Sequence, residues 1–169
     1  MIQHVWTLMA GLLVLLGATP VNAQSHDADL YAVYFRSDNC PNCLILDPQL
    51  IEAREATARL PIRHLTLNLD DAAEDYDAVM FAMLDRGLAD LYNAYLGLTG
   101  VVFLIAPDTG LPVDCLTRRD DAERQAQRLE NALGQVYSRA PDERTPVVGS
   151  QCPPPLRTLP GGRVFGVIE

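Results

Sequence analysis

Tyr31-Ala32-Val33-Tyr34-Phe35-Arg36-Ser37-Asp38-Asn39-Cys40-Pro41-Asn42-Cys43 sets the frame for the whole chain. Leu30–Arg36 is a continuous apolar and aromatic run of strand length, the pattern of a central strand covered on both faces. Ser37-Asp38-Asn39 reads as a polar turn, with Asn39 of a type favoured at helix N-caps. A helix is predicted from Cys40 to about Arg59, with Leu46, Leu50 and Ala53 on one face and Glu52, Arg54, Glu55 and Arg59 on the other. Pro61 ends it. Two cysteines in C-x-x-C spacing therefore fall on the first turn of a helix that follows a buried strand.

Downstream, Ile62–Leu69 alternates partially and is predicted as a second strand. A helix opening at Asp70-Asp71 places Tyr76, Val79, Met80, Met83 and Leu84 at helical spacing. After Gly87 the same spacing recurs in Leu88, Leu91, Tyr92, Tyr95 and Leu96, so two consecutive helices are expected. Gly97 closes the second, and Val101–Ala106 is a short apolar strand. Pro107-Asp108-Thr109-Gly110 is a β-turn signal, returning the chain as an antiparallel strand over Pro112–Thr117. A last helix spans about Asp120 to Tyr137, with Asp120 and Glu123 in capping-box spacing. The order is β-α-β-α(α)-β-β-α. From Ser138 the texture turns Pro-rich, with Pro153-Pro154-Pro155 at its centre, and Arg163–Ile168 could add an edge strand.

Upstream, residues 1–23 read as a secretory signal peptide. The apolar run Val5–Ala18 is about 14 residues long, short of the roughly 20 that a membrane-spanning helix needs. Thr19-Pro20 breaks the run, and Val21-Asn22-Ala23 presents small residues for cleavage before Gln24. The segment ahead of the run carries His4 but no Lys or Arg. The expected organisation is a signal peptide at 1–23, one domain at 24–137 and a Pro-rich extension at 138–169. A periplasmic or secreted location follows, with no stable membrane insertion after cleavage.

The 169 residues carry 22 acidic against 13 basic side chains, every basic one an Arg, for a net charge of −9. That balance excludes a nucleic-acid binder, which needs basic clusters to neutralise phosphates. Arg118-Arg119 is the only basic pair, and Asp120-Asp121 follows it at once.

All four cysteines, Cys40, Cys43, Cys115 and Cys152, lie in the mature part, where an oxidising compartment preserves disulfides. Cys40 and Cys43 pair locally, which leaves Cys115 and Cys152 for each other. Their bridge would tether the Pro-rich extension to the sheet and stabilise the fold by roughly 4 kcal/mol on the loop-entropy account. Free thiols, or a second redox pair feeding the first, are the alternatives for Cys115 and Cys152.

A C-x-x-C pair serves redox chemistry or metal ligation. Structural zinc takes two such knuckles or a knuckle with histidines, whereas here one knuckle stands with His26 and His64 isolated. No metal and no cofactor are expected. For redox work the thiolate is the nucleophile, and a helix N-terminus stabilises it through unpaired N–H groups and the helix dipole. Pro41 pre-sets the first helical turn and removes an N–H that would lack a partner anyway. Cys40 is the expected nucleophile and Cys43 the resolving thiol.

The strand–C-x-x-C–helix unit within this element order resembles the thioredoxin superfamily over roughly Leu30 to Tyr137. Pro48, five residues after Cys43, matches a helix-kinking proline of many thioredoxins, and Asp108-Thr109-Gly110 before the last strand and helix matches their C-terminal half. The resemblance implies an α/β, three-layer fold: a central mixed sheet flanked by helices, here with the Pro-rich C-terminal extension. Three positions depart from the family pattern. Asn39 stands where Trp is frequent, Tyr34 replaces a buried acid, and Gly100, within Leu98-Thr99-Gly100-Val101, occupies the place of a cis-proline that shapes the substrate groove.

The function these features imply is thiol–disulfide exchange with protein thiols or disulfides, recycled by a further redox partner. Two other uses of the same residues remain open. One is copper binding or delivery through the two sulfurs, since soft thiolates suit Cu(I). The other is a redox-inert binding module that keeps the fold for partner contacts.

Overall fold

The computed structural model describes residues 28–72, 76–144 and 150–155, with the backbone alone over 71–72 and 76–78. The expected signal peptide at 1–23 and the edge strand at Arg163–Ile168 lie outside the described residues. Four strands, β1 (Leu30–Arg36), β2 (Ile62–Asn68), β3 (Val101–Ala106) and β4 (Leu111–Thr117), form one mixed sheet in the order β2-β1-β3-β4. β1 and β2 run parallel, while β3 is antiparallel to both β1 and β4. Helices α1 (Pro41–Ala56), α2 (Leu69–Ala72), α3 (Tyr76–Leu84), α4 (Ala89–Tyr95) and α5 (Ala122–Ser138) complete the α/β architecture, followed by a 3₁₀ turn at Pro141–Glu143.

β1 is central, which explains why its first six residues are all apolar or aromatic: alternate side chains enter two different cores. Leu30, Ala32 and Tyr34 face an aliphatic cluster with Leu46, Leu50 and Ala53 of α1 and Leu129, Ala132 and Leu133 of α5. Tyr31, Val33 and Phe35 face an aromatic cluster with Met83 of α3, Leu91, Tyr92 and Tyr95 of α4 and Phe103 of β3. In that second core Phe35 meets Tyr92 edge-on at 6.1 Å, and Tyr95 lies 4.4 Å from Phe103. Each fully buried Leu or Phe contributes about 1.5–3 kcal/mol, so neither face is dispensable. The apolar positions read at helical spacing (Met83, Leu91, Tyr92, Tyr95) are core.

β4 lies at the sheet edge, the position in a sheet where a proline such as Pro112 is tolerated. A bulge between Leu104 and Ile105 shifts the pairing so that Ile105 opposes Pro112 while Leu104 opposes Asp114. α5 is clamped to β4 by Arg128, which reaches Asp114 at 2.8 Å and Asp120 at 3.2 Å, the two carboxylates being buried.

Three local expectations are corrected. The first helix starts at Pro41 and ends at Ala56, not at Cys40 and Arg59. Its N-cap is Cys40, not Asn39: Cys40 keeps an extended backbone and its own sulfur accepts the Cys43 N–H, so the capping role falls one residue later. The last helix is capped by Asp121, whose carboxylate accepts the Arg124 N–H at 3.0 Å. Asp120 is instead drawn inward by Arg128 and Gln151, and the Asp120–Glu123 capping box does not form. Between the second and third strands the backbone is helical from Leu69 and again from Tyr76.

Candidate functional site

The strand directions bring four chain ends to one edge of the sheet. Arg36 pairs with Asn68 at the C-terminal ends of β1 and β2, Phe35 with Val101 at the start of β3, and Val101 with Thr117 at the end of β4. The cysteine turn emerges from β1 at this edge. Gly100, in the loop that leads into β3, faces the pair at this end of the sheet.

At the turn, the Cys40 N–H donates to Ser37 at 3.2 Å, and Cys40 then caps α1. The Cys43 N–H reaches both the Cys40 carbonyl at 3.0 Å and the Cys40 sulfur at 3.1 Å. Pro41 occupies N1, within the first turn where the sequence places it. Cys40 and Cys43 are joined by a disulfide across a Cα–Cα distance of 5.3 Å. Cys40 retains 6 % exposure and Cys43 none; both belong to the aliphatic cluster, with Cys40 the less buried of the two. When the pair is reduced, the same Cys43 N–H and the helix dipole favour the thiolate at Cys40.

Gly100 lies directly against the pair. A Cβ built there would stand 3.2 Å from the Cys40 sulfur and 2.6 Å from Asn42 Cβ, and Gly100 has φ of +78°. Both facts require glycine. The described residues contain no cis peptide bond, and the Gly100 N–H donates to the Phe35 carbonyl at 3.0 Å. A proline could supply neither that hydrogen bond nor that φ. The loop thus meets the cysteines by a different backbone solution from the family's cis-proline.

Tyr34, at the position of the family's buried acid, donates its hydroxyl to Asp47 at 2.7 Å. Asp47 follows Cys43 by one helical turn and also accepts from Arg36 Nε at 3.1 Å. Burial, then the Asp47 hydrogen bond, hold the Tyr34 hydroxyl well above the usual tyrosine range, so it stays a donor. Nothing in strand periodicity pointed to Asp47; its helical offset from Cys43 was the available signal. Arg36 also pairs with Asp38, and Asp70 accepts from Ser37 Oγ at 3.1 Å and the Asp38 N–H at 2.6 Å. Asn39 is exposed and makes no cap. Pro48 lies inside α1, as expected, and faces solvent, continuing an exposed apolar strip with Pro41, Leu44 and Ile45.

On the other flank, a groove of about 280 Å³ is lined by Asn42, Gly100, Val101, Thr117, Arg118, Arg119 and Gln151. Gln151 is held there by Thr117 Oγ1 and by donation to Asp120 at 3.0 Å. Cys115 and Cys152 are disulfide-bonded, with Cα atoms 5.0 Å apart, and Cys115 is fully buried in the aromatic cluster. The bond fastens residues 150–155 to the domain, and Tyr95 adds a hydrogen bond to the Pro153 carbonyl at 3.3 Å. Arg118 and Arg119, which the sequence marks only as its one basic pair, border this groove.

The fold is thioredoxin-like. Its mixed sheet, its flanking helices and the cysteine pair at the β1–α1 junction meet what the resemblance implied. Among the described residues no helix is long and apolar enough to cross a membrane, and no three His, Cys, Asp or Glu side chains gather as a metal site. No family model matches the chain, and no curated protein matches it. A solved structure that does match is that of Trxlp from Edwardsiella tarda EIB202, 16% identical over 61% of this chain and 82% of that one, with a TM-score of 0.41.

Proposed function

We propose that the chain is a thiol–disulfide oxidoreductase acting on protein thiols or disulfides, exported through its N-terminal segment 1–23 to the periplasm or the outside. One observation carries this reading: Cys40 caps α1 with its own sulfur, accepts the Cys43 N–H, and is the less buried of two bonded cysteines. That geometry suits a nucleophile and a shielded resolving thiol better than a static staple.

In the reduced protein the Cys40 thiolate attacks a substrate disulfide. A Cys40–substrate S–S bond forms, the substrate S–S bond breaks, and one substrate sulfur leaves as thiolate. The Cys43 thiolate then attacks the Cys40 sulfur, closes Cys40–Cys43 and expels the second substrate thiolate. Two electrons pass to the substrate; run in reverse, the same steps oxidise a substrate dithiol, and a separate redox partner restores the pair. Gly100 lets the loop backbone approach the attacked sulfur, and Cys115–Cys152 holds the extension 138–169 to domain 24–137 without taking part in exchange.

Reduction of insulin disulfides, with Cys40→Ser as control, tests the reading. The wild type should turn over and the variant fall to background. Equal rates for the two would refute it.

A further inference from the structure

Arg118 and Arg119 leave β4 at the edge where the cysteine turn emerges, and both are exposed. They line the groove together with Asn42, which lies between the two cysteines, and Gly100, which touches Cys40. The aspartates that follow them do not neutralise them. Asp120 is buried and accepts from Thr117 N–H, Arg128 and Gln151. Asp121 caps α5 and pairs with Arg124 at 3.4 Å. Among the described residues neither Arg118 nor Arg119 has a carboxylate partner. Across the cysteine turn, beside the end of β2, the charge reverses: Asp38 and Asp70 lie there, with Arg36 bound to Asp38. On a chain of net charge −9, this places a local positive flank next to one side of Cys40 and a negative one next to the other.

We propose that Arg118 and Arg119 select substrates, by binding an acidic polypeptide segment that flanks the substrate cysteine in the Asn42–Gly100 groove. This rests on the oxidoreductase reading and adds the substrate class to it. Guanidinium groups match carboxylates in charge and geometry. The groove, at about 280 Å³, falls just below the roughly 300–1,000 Å³ of pockets that enclose a small molecule, which favours a few side chains of a longer chain. Gln151, fixed from below by Thr117 and Asp120, adds a side-chain amide to the groove wall for the segment's backbone.

The test compares two synthetic disulfide peptides of equal length, one with Glu and Asp flanking a cysteine, the other with Gln and Asn, on the full mature protein. The wild type should prefer the acidic peptide in kcat/KM, and added salt should erase the preference. In R118Q/R119Q the acidic-to-neutral ratio should drop about 3- to 10-fold, the size expected of two exposed ion pairs. A third arm measures binding of the acidic peptide with its cysteines replaced by serine, which needs no redox chemistry. Turnover of both disulfide peptides without preference overturns the inference and leaves the oxidoreductase reading standing. Salt-sensitive binding without turnover supports the groove and sinks the redox reading. Faster turnover of glutathione disulfide than of the acidic peptide overturns the assignment to a polypeptide.

Discussion

The two faces of the sheet each hold one disulfide, and the two bonds differ in almost every physical respect. Cys40–Cys43 spans three positions, belongs to the aliphatic cluster under α1 and α5, and leaves Cys40 slightly exposed where β1 ends. Cys115–Cys152 spans 37 positions, joins β4 to a distant segment and is packed against the aromatic cluster under α3 and α4. A long loop loses more freedom on closure than a short one, so the bonds should stabilise the fold by about 4 and about 2 kcal/mol respectively. The difference separates a bond that holds the molecule together from one that can open without unfolding it. An exchange centre needs the second kind.

The largest expected effect tests that contrast directly. Replacing Cys115 and Cys152 together by Ala should lower the unfolding free energy by about 4 kcal/mol in urea titration, against about 2 for the Cys40→Ala, Cys43→Ala pair. Equal losses would break the distinction. The redox assay should divide the other way, with turnover surviving the first double variant and lost in the second.

Next in size is Gly100→Ala. An alanine at φ +78° carries a left-handed penalty of about 1–2 kcal/mol, and its Cβ must displace Asn42, which stands 2.6 Å away. Thermal unfolding should show the loss, and insulin turnover should fall with it because the displaced residue lies between the two cysteines. A variant with unchanged melting and turnover would show that the loop does not press on the pair.

Tyr34→Phe removes the hydroxyl that Asp47 accepts and leaves Arg36 as the partner of that carboxylate. A hydrogen bond to a charged group is worth about 1.5 kcal/mol or more, so a loss of that order is expected in urea titration. Reduction potentials of wild type and variant would sharpen the picture of the aliphatic face. A shift would place the Tyr34–Asp47 network in the electrostatics of the pair, and no shift would confine it to stability.

The smallest effect is on pH dependence. His64 faces the same side of the sheet as Ala32, its register partner on β1, and burial, reinforced by Arg54, pushes its pKa down to about 4. The folded value lies below the unfolded value of 6.5, so the fold binds fewer protons. Its stability contribution is complete above the unfolded value and is lost as pH falls from there towards the folded one. Partial exposure keeps the loss between about pH 7 and pH 6 below about 1 kcal/mol. His64→Leu should flatten that slope in urea titrations across the range; an unchanged slope would assign it to another group.

Much of this was legible in the chain itself. The unbroken apolar run of β1 announced a strand buried on both faces, the C-x-x-C after a polar turn announced a helix start, and the periodic Met, Leu and Tyr positions announced the helices of the aromatic face. Those signals are local, because side-chain period and turn chemistry act over a few residues. Gly100 was recognisable as the residue opposite the cysteines only through the resemblance, and why it must be glycine needed the approach of Asn42 and Cys40.

What the sequence alone settled was the order of elements, the two-sided core and the identity of the cysteine pair. What the tertiary structure decided were the electrical details around that pair. Asp120 and Asp121 look like the partners of Arg118 and Arg119 in one dimension, yet the fold turns Asp120 towards Arg128 and Gln151 and uses Asp121 as a cap. Asn39 looks like a cap, yet the cap is Cys40. The physical reason is common to both cases. A polar side chain takes whichever donor or acceptor the packed elements bring within about 3 Å, and that choice depends on neighbours far along the chain.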